Sequence, residues 1–299
     1  GTIGTVSSVD ESFSRTIAFC ATEEPSNDGL ANLSMLFADF QAERSAARSA
    51  AVTLARTSAT IPVYFHVISK GPTEEEGEVP DAPLIEQIEV LNSAYSGETG
   101  GVATPFRFTL AGINRVRNAD WHVMSPGSET EMQAKQELKQ GAADTLNVYL
   151  VDIQASGEVS GGRGTILGYT TLPVFYPLLA QYDGVVLHYK AIVGGPLAHY
   201  DTGHVLVHEV GHWLGLLHTF SGQCDGFFDD LISDTPREKT PESGNYCPVD
   251  RDSCPDLDGE DPVHNHMTYT ADECRSEFTA GQVDFMVFNA SIFRSMQLY

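Results

Sequence analysis

The segment HEVGHWLGLLH, which begins at His208, places titratable side chains in an apolar stretch. If the segment starts as a helix, His208 and His212 lie one turn apart, about 6 Å along the axis, so both rings can reach one metal ion. Glu209 lies beside them and does not have to be a ligand. Gly215 can adopt a positive φ and end the helix, which lets His218 reach the same ion.

Three neutral histidine nitrogens are typical of catalytic zinc, because they leave the fourth tetrahedral position open for water. Zinc lowers the pKa of bound water to about 7, and a nearby carboxylate can take the proton as that water attacks a carbonyl. We therefore expect zinc as the cofactor and Glu209 as the general base of peptide hydrolysis. The alternative is that these histidines only pack inside an apolar helix, as we expect for His199 and His204 elsewhere.

Strand and helix patterns alternate through the part of the chain that precedes the histidines. Apolar runs and period-2 patterns predict strands at 61–69, 106–116, 145–153, 166–170 and 183–192. Helical periodicity and capping signals predict helices at 30–56, 81–95 and 128–141. After His218 the pattern changes to acidic, proline-rich loops. We expect an α+β fold in which helices pack on a mixed, twisted sheet.

The composition excludes several classes of partner. The chain has 17 lysine and arginine residues against 41 aspartate and glutamate residues, a net charge of −24. Such a surface repels phosphate backbones and anionic lipids, so we expect no nucleic acid and no membrane among the partners. Because the chain begins at Gly1, we expect a processed, secreted product.

Four cysteines cluster in the last quarter of the chain, at Cys224, Cys247, Cys254 and Cys274, while Cys20 stands alone. The cluster predicts two disulfides and an oxidising compartment. A zinc site made of these thiolates is the competing interpretation, but the paired C-x-x-C spacing is missing. Four cysteines allow three pairings, among which the sequence alone does not choose.

The motif HExxHxxGxxH resembles that of the metzincin superfamily of zinc endopeptidases, and HNHMTYTADEC at 264–274 is similar to its Met-turn. Together with SDTP at 233–236 and FTAGQ at 278–282, the chain is similar to the pappalysin family over most of residues 60–290. The resemblance implies a metzincin fold, in which the active-site helix ends at Gly215 above a loop-rich, disulfide-tied C-terminal subdomain.

The same resemblance implies a division of the chain. Residues 1–58 would form a pro-segment or linker, and residues 59–299 would form the catalytic domain. That domain would consist of an N-terminal subdomain, 59–215, and a C-terminal subdomain, 216–299. An extended substrate would add to the sheet edge at 166–170 through backbone hydrogen bonds.

The resemblance also implies roles for residues near the Met-turn. Met267 would be the methionine beneath the zinc, and Tyr269 would donate a hydrogen bond to the developing oxyanion. Glu273 would lie in the pocket for the residue after the scissile bond and favour arginine or lysine there. The alternative for Tyr269 is a packing role, and the alternative for Glu273 is that it is an exposed acid. His266 and Thr268, which flank the methionine, depart from the family pattern.

Two further features follow from the resemblance. The family implies the disulfides Cys224–Cys254 and Cys247–Cys274. It also implies structural calcium, as a second cofactor, in the acidic loop from Asp225 to Asp234. Carboxylate and carbonyl oxygens of such a loop could hold calcium, but no EF-hand spacing is present.

The segment AFCATEEPS, which contains Cys20, is similar to the cysteine-containing pro-segment of the family. There a thiolate occupies the open zinc position and silences the zymogen, and thiolate is a strong zinc ligand. Ala21 departs from the family pattern, in which glycine tends to follow the cysteine. The alternatives are a free thiol and an intermolecular disulfide.

Taken together, the sequence predicts a secreted zinc endopeptidase with its pro-segment still attached. Its partners would be protein or peptide substrates, and we expect a monomer. The second hypothesis is a non-catalytic peptide-binding module on a metzincin scaffold. The third is a zinc-dependent deacetylase or amidase, which could share the same chemistry.

Overall fold

The computed structural model describes residues 18–49, 58–154, 166–241 and 246–298. The strands are β1 (Ala18–Cys20), β2 (Ala59–Ser69), β3 (Phe106–Arg117), β4 (Val123–Met124), β5 (Leu146–Ile153), β6 (Ile166–Thr170) and β7 (Val185–His188). The helices are α1 (Asn27–Ser49), α2 (Asp81–Ser96), α3 (Ala119–His122), α4 (Glu129–Leu138), α5 (Tyr176–Leu179), α6 (His204–Trp213) and α7 (Ala280–Phe293). Short 3₁₀ turns occupy Glu74–Glu76, Pro173–Phe175 and Ala180–Tyr182.

A mixed sheet forms the centre of the fold. Its strands lie in the order β1, β6, β7, β5, β2 and β3, and β4 pairs with β5 to the side. Every pair in it is parallel except β6 with β7. β5 lies between two strands and is almost wholly buried, in agreement with its nearly continuous apolar sequence. The first strand, from the expected pro-segment, therefore closes the edge of the sheet at β6.

Helices α2 and α6 pack against each other beside the sheet. The Tyr95 hydroxyl donates to the Val207 carbonyl at 3.1 Å, and the Gln87 amide donates to the Gly203 carbonyl at 2.9 Å. Both contacts satisfy buried polar groups that would otherwise be costly. The site helix is thereby fixed along the sheet.

Most of the predicted elements are present with small shifts of their ends. The strand predicted at 183–192 is shorter, because the chain turns after His188 and the Ala191 amide donates to the His188 carbonyl. Residues 50–56 of the helix predicted at 30–56, residues 1–17 of the expected pro-segment and the glycine-rich stretch 155–165 lie outside the described residues.

The sequence did not predict α7, which was expected to be loop. Its start has a recognisable signal, because Thr279 and Gln282 form a capping box. The helix is buried on nearly all sides, and Phe285 and Phe288 pack against Phe37 of α1 with ring centroids 4.8 and 5.4 Å apart. A helix that is buried all round has little amphipathic periodicity, so the sequence pattern did not indicate it.

The C-terminal part after α6 is poor in regular structure until α7. It contains the disulfides Cys224–Cys254 and Cys247–Cys274, the pairing that the resemblance implied. Among the described residues, no helix has both the length and the apolar character needed to cross a bilayer.

Candidate metal centre and active site

Helix α6 carries the first two histidines of the motif into the core. Its residues from Val205 to Trp213 are buried, and its N-terminus is held by the Asp272 carboxylate. That carboxylate accepts from the backbone amide and hydroxyl of Thr202, at 3.0 and 3.1 Å, and from the His204 amide at 3.2 Å. An anion at a helix N-terminus satisfies its unpaired amides.

The chain then reverses at Gly215, whose φ is +103°. The helix itself ends at Trp213, two residues before the predicted end. A β-carbon at Gly215 would meet the Asn289 side chain of α7 at 2.3 Å, so both conformation and space require glycine. This turn returns His218 to the two helical histidines.

The three histidines of the motif face one another. Nε2 of His212 lies 3.1 Å from Nε2 of His208 and 3.1 Å from Nε2 of His218. Nδ1 of His208 contacts the His266 carbonyl at 2.7 Å, and Nδ1 of His212 contacts the Leu216 carbonyl at 2.7 Å. A carbonyl only accepts hydrogen bonds, so these Nδ1 atoms carry the protons and the Nε2 atoms present lone pairs.

Such an arrangement fits a bound cation. Burial lowers the pKa of His208 and of His212 well below the usual value, so both rings are neutral. Lone pairs of neutral nitrogens at 3.1 Å repel each other unless a positive charge lies among them. The donors are three imidazoles, the set that suits zinc with an open fourth position. The three Nε2 atoms could therefore hold zinc.

Glu209 is completely buried next to this centre. Its Oε2 lies 3.4 Å from Sγ of Cys20 and accepts from the Thr22 hydroxyl at 3.3 Å. Burial raises the pKa of Glu209 to about 8, although the hydrogen bonds from Cys20 and Thr22 lower it. A carboxylate with a pKa near neutrality is suited to both accept and return a proton.

Glycine at two positions makes room for the site. A β-carbon at Gly168 of β6 would come within 2.7 Å of the Glu209 side chain, and one at Gly211 of α6 would come within 2.4 Å of Sδ of Met267. Met267 is buried below the helix, where Asn265 accepts from its backbone amide at 2.9 Å. The role of Gly168 could not be predicted from the sequence, because a close approach between distant segments leaves no local signal.

Tyr269 lies over the histidines with its ring centroid 4.9 Å from that of His218. Its hydroxyl donates to the backbone carbonyl of Cys20 at 3.1 Å. Burial raises the pKa of Tyr269, and the charges of Cys20 and Glu209 add to the effect, so the phenol stays protonated. The hydroxyl is therefore a hydrogen-bond donor next to the segment that carries Cys20.

Strand β1 places Cys20 against the three histidines. It runs parallel to β6, with Cys20 opposite Gly168, and Sγ lies within 4.8 Å of the ligand nitrogens of all three histidines. Burial, together with the Glu209 charge, raises the pKa of the Cys20 thiol. A cation among the histidines acts in the opposite direction, because it stabilises thiolate.

Glu24 was not among the site residues predicted from the sequence, yet it contacts His218, the third histidine of the motif. Its Oε1 lies 3.0 Å from Nδ1 of His218 and accepts from the Ser221 hydroxyl at 2.5 Å. Burial raises the pKa of Glu24, but the hydrogen bonds from His218 and Ser221 act against burial and keep the pKa of this carboxyl low. The expected pro-segment thus supplies a carboxylate behind a metal-binding ring, as metal sites commonly require.

Glu273, His266 and Thr268, which lie close to Met267 in the sequence, are outside the cluster of the three histidines and Cys20. Of the two interpretations of Glu273, the structure agrees with an exposed acid, because that side chain is about half exposed and pairs with His199 at 2.6 Å, whereas its neighbour Asp272 is buried. His266 packs against the Phe278 ring at 4.6 Å and is outside the ligand cluster. Thr268, its companion departure, donates its hydroxyl to Glu238 at 2.7 Å.

The acidic loop expected to bind calcium uses its carboxylates within the protein. Asp229 pairs with Arg237 at 3.2 Å, and Asp230 accepts from the Thr235 hydroxyl at 2.6 Å. Asp234 accepts from the Thr279 hydroxyl at 2.7 Å. Calcium binding there stays a prediction without structural support.

Comparison with known proteins agrees with this geometry. The model of peptidase family M43, described as pregnancy-associated plasma protein-A, matches residues 141–290. An extracellular metalloprotease of Neurospora crassa is 36% identical over 267 residues, covering 88% of this chain and 84% of that protein. One from Sordaria macrospora is 37% identical with the same coverage.

Solved structures show the same fold. Mirolysin in complex with a compound superposes with a TM-score of 0.66 and 28% identity, covering 81% of this chain and 97% of that one. A promirolysin mutant of Tannerella forsythia gives a TM-score of 0.66 and 25% identity, covering 92% and 95%. The family model, the relatives and the cluster of three imidazole donors agree with one another. The chain belongs to peptidase family M43, the pappalysin family, and is an extracellular zinc metalloendopeptidase of metzincin fold.

Proposed function

We propose that the enzyme hydrolyses internal peptide bonds with Glu209 as general base and Tyr269 as hydrogen-bond donor to the reacting carbonyl oxygen. The observation that carries the proposal is the convergence of three Nε2 atoms beside the buried Glu209 carboxylate. His208, His212 and His218 would hold the zinc. The zinc, when bound, supplies a Lewis acid that polarises a carbonyl and lowers the pKa of water.

Each side chain has a separate task in the proposed reaction. Glu209 accepts the proton of the attacking water and passes it to the nitrogen of the leaving amine, which is the task of a general acid–base group beside the metal. The Tyr269 phenol stabilises the negative charge that develops on the carbonyl oxygen. Met267 supports α6 from below and takes no part in proton transfer.

The substrate would bind along β6, at the edge that β1 occupies. β1 pairs there with β6 through Ala18 opposite Ile166 and Cys20 opposite Gly168. A free strand edge offers unpaired backbone groups to an extended peptide. Substrate and pro-segment therefore compete for one edge.

We also propose that residues 1–58 keep the enzyme latent, with Sγ of Cys20 at the open metal position. Cys20 contacts the centre directly, and its backbone carbonyl engages the Tyr269 hydroxyl. The comparison with promirolysin covers 92% of this chain, whereas that with mature mirolysin covers 82%, as expected if the additional part is a pro-segment. Removal of the segment would free the metal position, Glu209 and Tyr269 together.

The test is mass spectrometry of a diverse peptide mixture after incubation with the protein, before and after removal of residues 1–58. We expect internal cuts after removal only, and none after chelation of zinc. Release of acetyl groups without backbone cleavage would favour a deacetylase. Zinc-loaded, processed protein that binds peptides but cuts none would favour the binding module.

Glu24→Gln should weaken latency. The substitution keeps the side-chain volume but removes the charge that His218 and Ser221 contact, and charge-assisted hydrogen bonds contribute about 1.5–3 kcal/mol each. We expect peptide cleavage by the unprocessed chain to rise about tenfold or more. Glu23→Gln is the matched control, because Glu23 is the exposed neighbour. Equal rates for the two variants would show that Glu24 does not contribute.

A further inference from the structure

Phe19 of β1 is buried next to the three histidines, and the rings and charged groups around it are called the Phe19 pocket. Only 3% of the residue is exposed. Its ring centroid is 4.9 Å from that of His208, 5.0 Å from that of Tyr269 and 5.5 Å from that of Tyr200. Because Sγ of Cys20 lies among the three histidines, the adjacent Phe19 lies where the side chain of a substrate residue next to the scissile bond would lie.

A guanidinium group forms one wall of this pocket. Cζ of Arg275 lies 4.6 Å from the Phe19 ring centroid, and the Arg275 side chain is completely buried. Nη2 donates to Asp272, but Nε and Nη1 have no hydrogen-bond partner among the described residues. A buried, incompletely paired guanidinium favours the face of an aromatic ring over open space.

The Asp272 carboxylate has no free oxygen to offer a substrate cation. Oδ1 accepts from Arg275, and Oδ2 accepts from the Thr202 amide and hydroxyl and from the His204 amide. A lysine or arginine side chain in place of Phe19 would meet the positive charge of Arg275 instead. Like charges at such distances in a buried site are strongly unfavourable.

We propose that this pocket selects an aromatic side chain next to the scissile bond and rejects lysine and arginine, with Arg275 as the specificity-determining residue. The inference rests on the proposed peptidase function, whose substrate preference it specifies. Phe19 of the pro-segment contacts Arg275 through its ring face, and it thereby fills the pocket as the aromatic side chain of a substrate would.

The first test uses the processed wild-type enzyme and peptides that are identical except at one position. The residue on either side of the cleaved bond is varied in turn among phenylalanine, cyclohexylalanine, glutamate and lysine. Cyclohexylalanine keeps the apolar ring shape but has no π face. At one of the two positions we expect kcat/KM to be about tenfold or more higher for phenylalanine than for lysine, and to fall for cyclohexylalanine.

Variants of Arg275 provide the second test. Arg275→Met removes the charge and leaves Asp272 free, so we expect the phenylalanine advantage to fall and cleavage next to lysine to rise. Asp272→Asn combined with Arg275→Met removes both charges, so the phenylalanine advantage should fall without a gain for lysine. The wild-type peptide series decides the matter if a variant does not fold.

The outcomes separate this inference from the function on which it rests. Cleavage that favours lysine, arginine or glutamate at both positions would overturn the aromatic pocket but leave the peptidase intact. If no peptide is cut, the proposed function fails, and binding of a synthetic peptide of residues 18–26 still tests the pocket. Calorimetry should then show at least about tenfold weaker binding for its Phe19→Lys form, and equal binding would overturn the inference.

Discussion

Glu209→Gln should abolish most of the peptidase activity while the protein still folds and retains zinc. Glutamine has the same shape as glutamate, but its amide cannot accept the proton of the attacking water. Positioned general acid–base groups contribute about 10²- to 10⁴-fold to rates, so we expect kcat to fall by a factor in this range. The measurement is the hydrolysis rate of a peptide by the processed variant, together with its zinc content.

Zinc content is the measurement that gives this result its meaning. Glu209 is not one of the side chains whose atoms cluster at the metal position. The variant should therefore bind one zinc per chain, as the wild type does. Glu86→Gln is the matched control, because Glu86 is exposed on α2. A Glu209→Gln enzyme with full zinc and near wild-type kcat would exclude Glu209 as the base.

Cys20→Ala should activate the unprocessed chain. The substitution removes the Sγ atom that lies among the three histidines, while Phe19, Thr22 and Glu24 still hold the segment in place. If the lost metal contact contributes about 3 kcal/mol, the open fraction rises about a hundredfold. We expect cleavage of peptides by the uncut variant to increase accordingly.

A spectroscopic measurement distinguishes a metal contact from a packing role. In the cobalt-substituted full chain, the absorption that thiolate gives on binding cobalt should be present in the wild type and absent in Cys20→Ala. Asp39→Asn serves as a control in the same segment, since Asp39 is exposed on α1. Latency that survives in Cys20→Ala, with unchanged cobalt spectra, would mean that the thiol does not occupy the metal position.

The residues that the sequence predicted correctly are those whose geometry is local. The pitch of a helix brings His208 and His212 together whatever the rest of the fold, and Gly215 limits where the chain can turn toward His218. Strand and helix periodicity likewise gave most element boundaries within a few residues. Local rules fix these features, so a single sequence is sufficient for them.

The residues that were missed depend on contacts between distant segments. Glu24 lies 194 positions before His218, and nothing in its own neighbourhood indicates that contact. Asp272 is buried and Glu273 is not, because only the Asp272 carboxylate faces the start of α6. Adjacent residues of a loop direct their side chains to different sides, and the sequence does not indicate which of the two faces inward. Arg275 was overlooked because its counter-ion and the Phe19 ring come from separate parts of the chain.

The two disulfides overlap along the chain, and this arrangement decides what a single cut in the C-terminal part can do. Cys247 lies inside the loop closed by Cys224–Cys254, and Cys254 lies inside the loop closed by Cys247–Cys274. Any single peptide bond between residues 224 and 274 can therefore be hydrolysed without separating the two fragments. That interval includes Met267 and Tyr269, so a molecule nicked there by a neighbouring copy keeps its active site covalently attached until the disulfides are reduced.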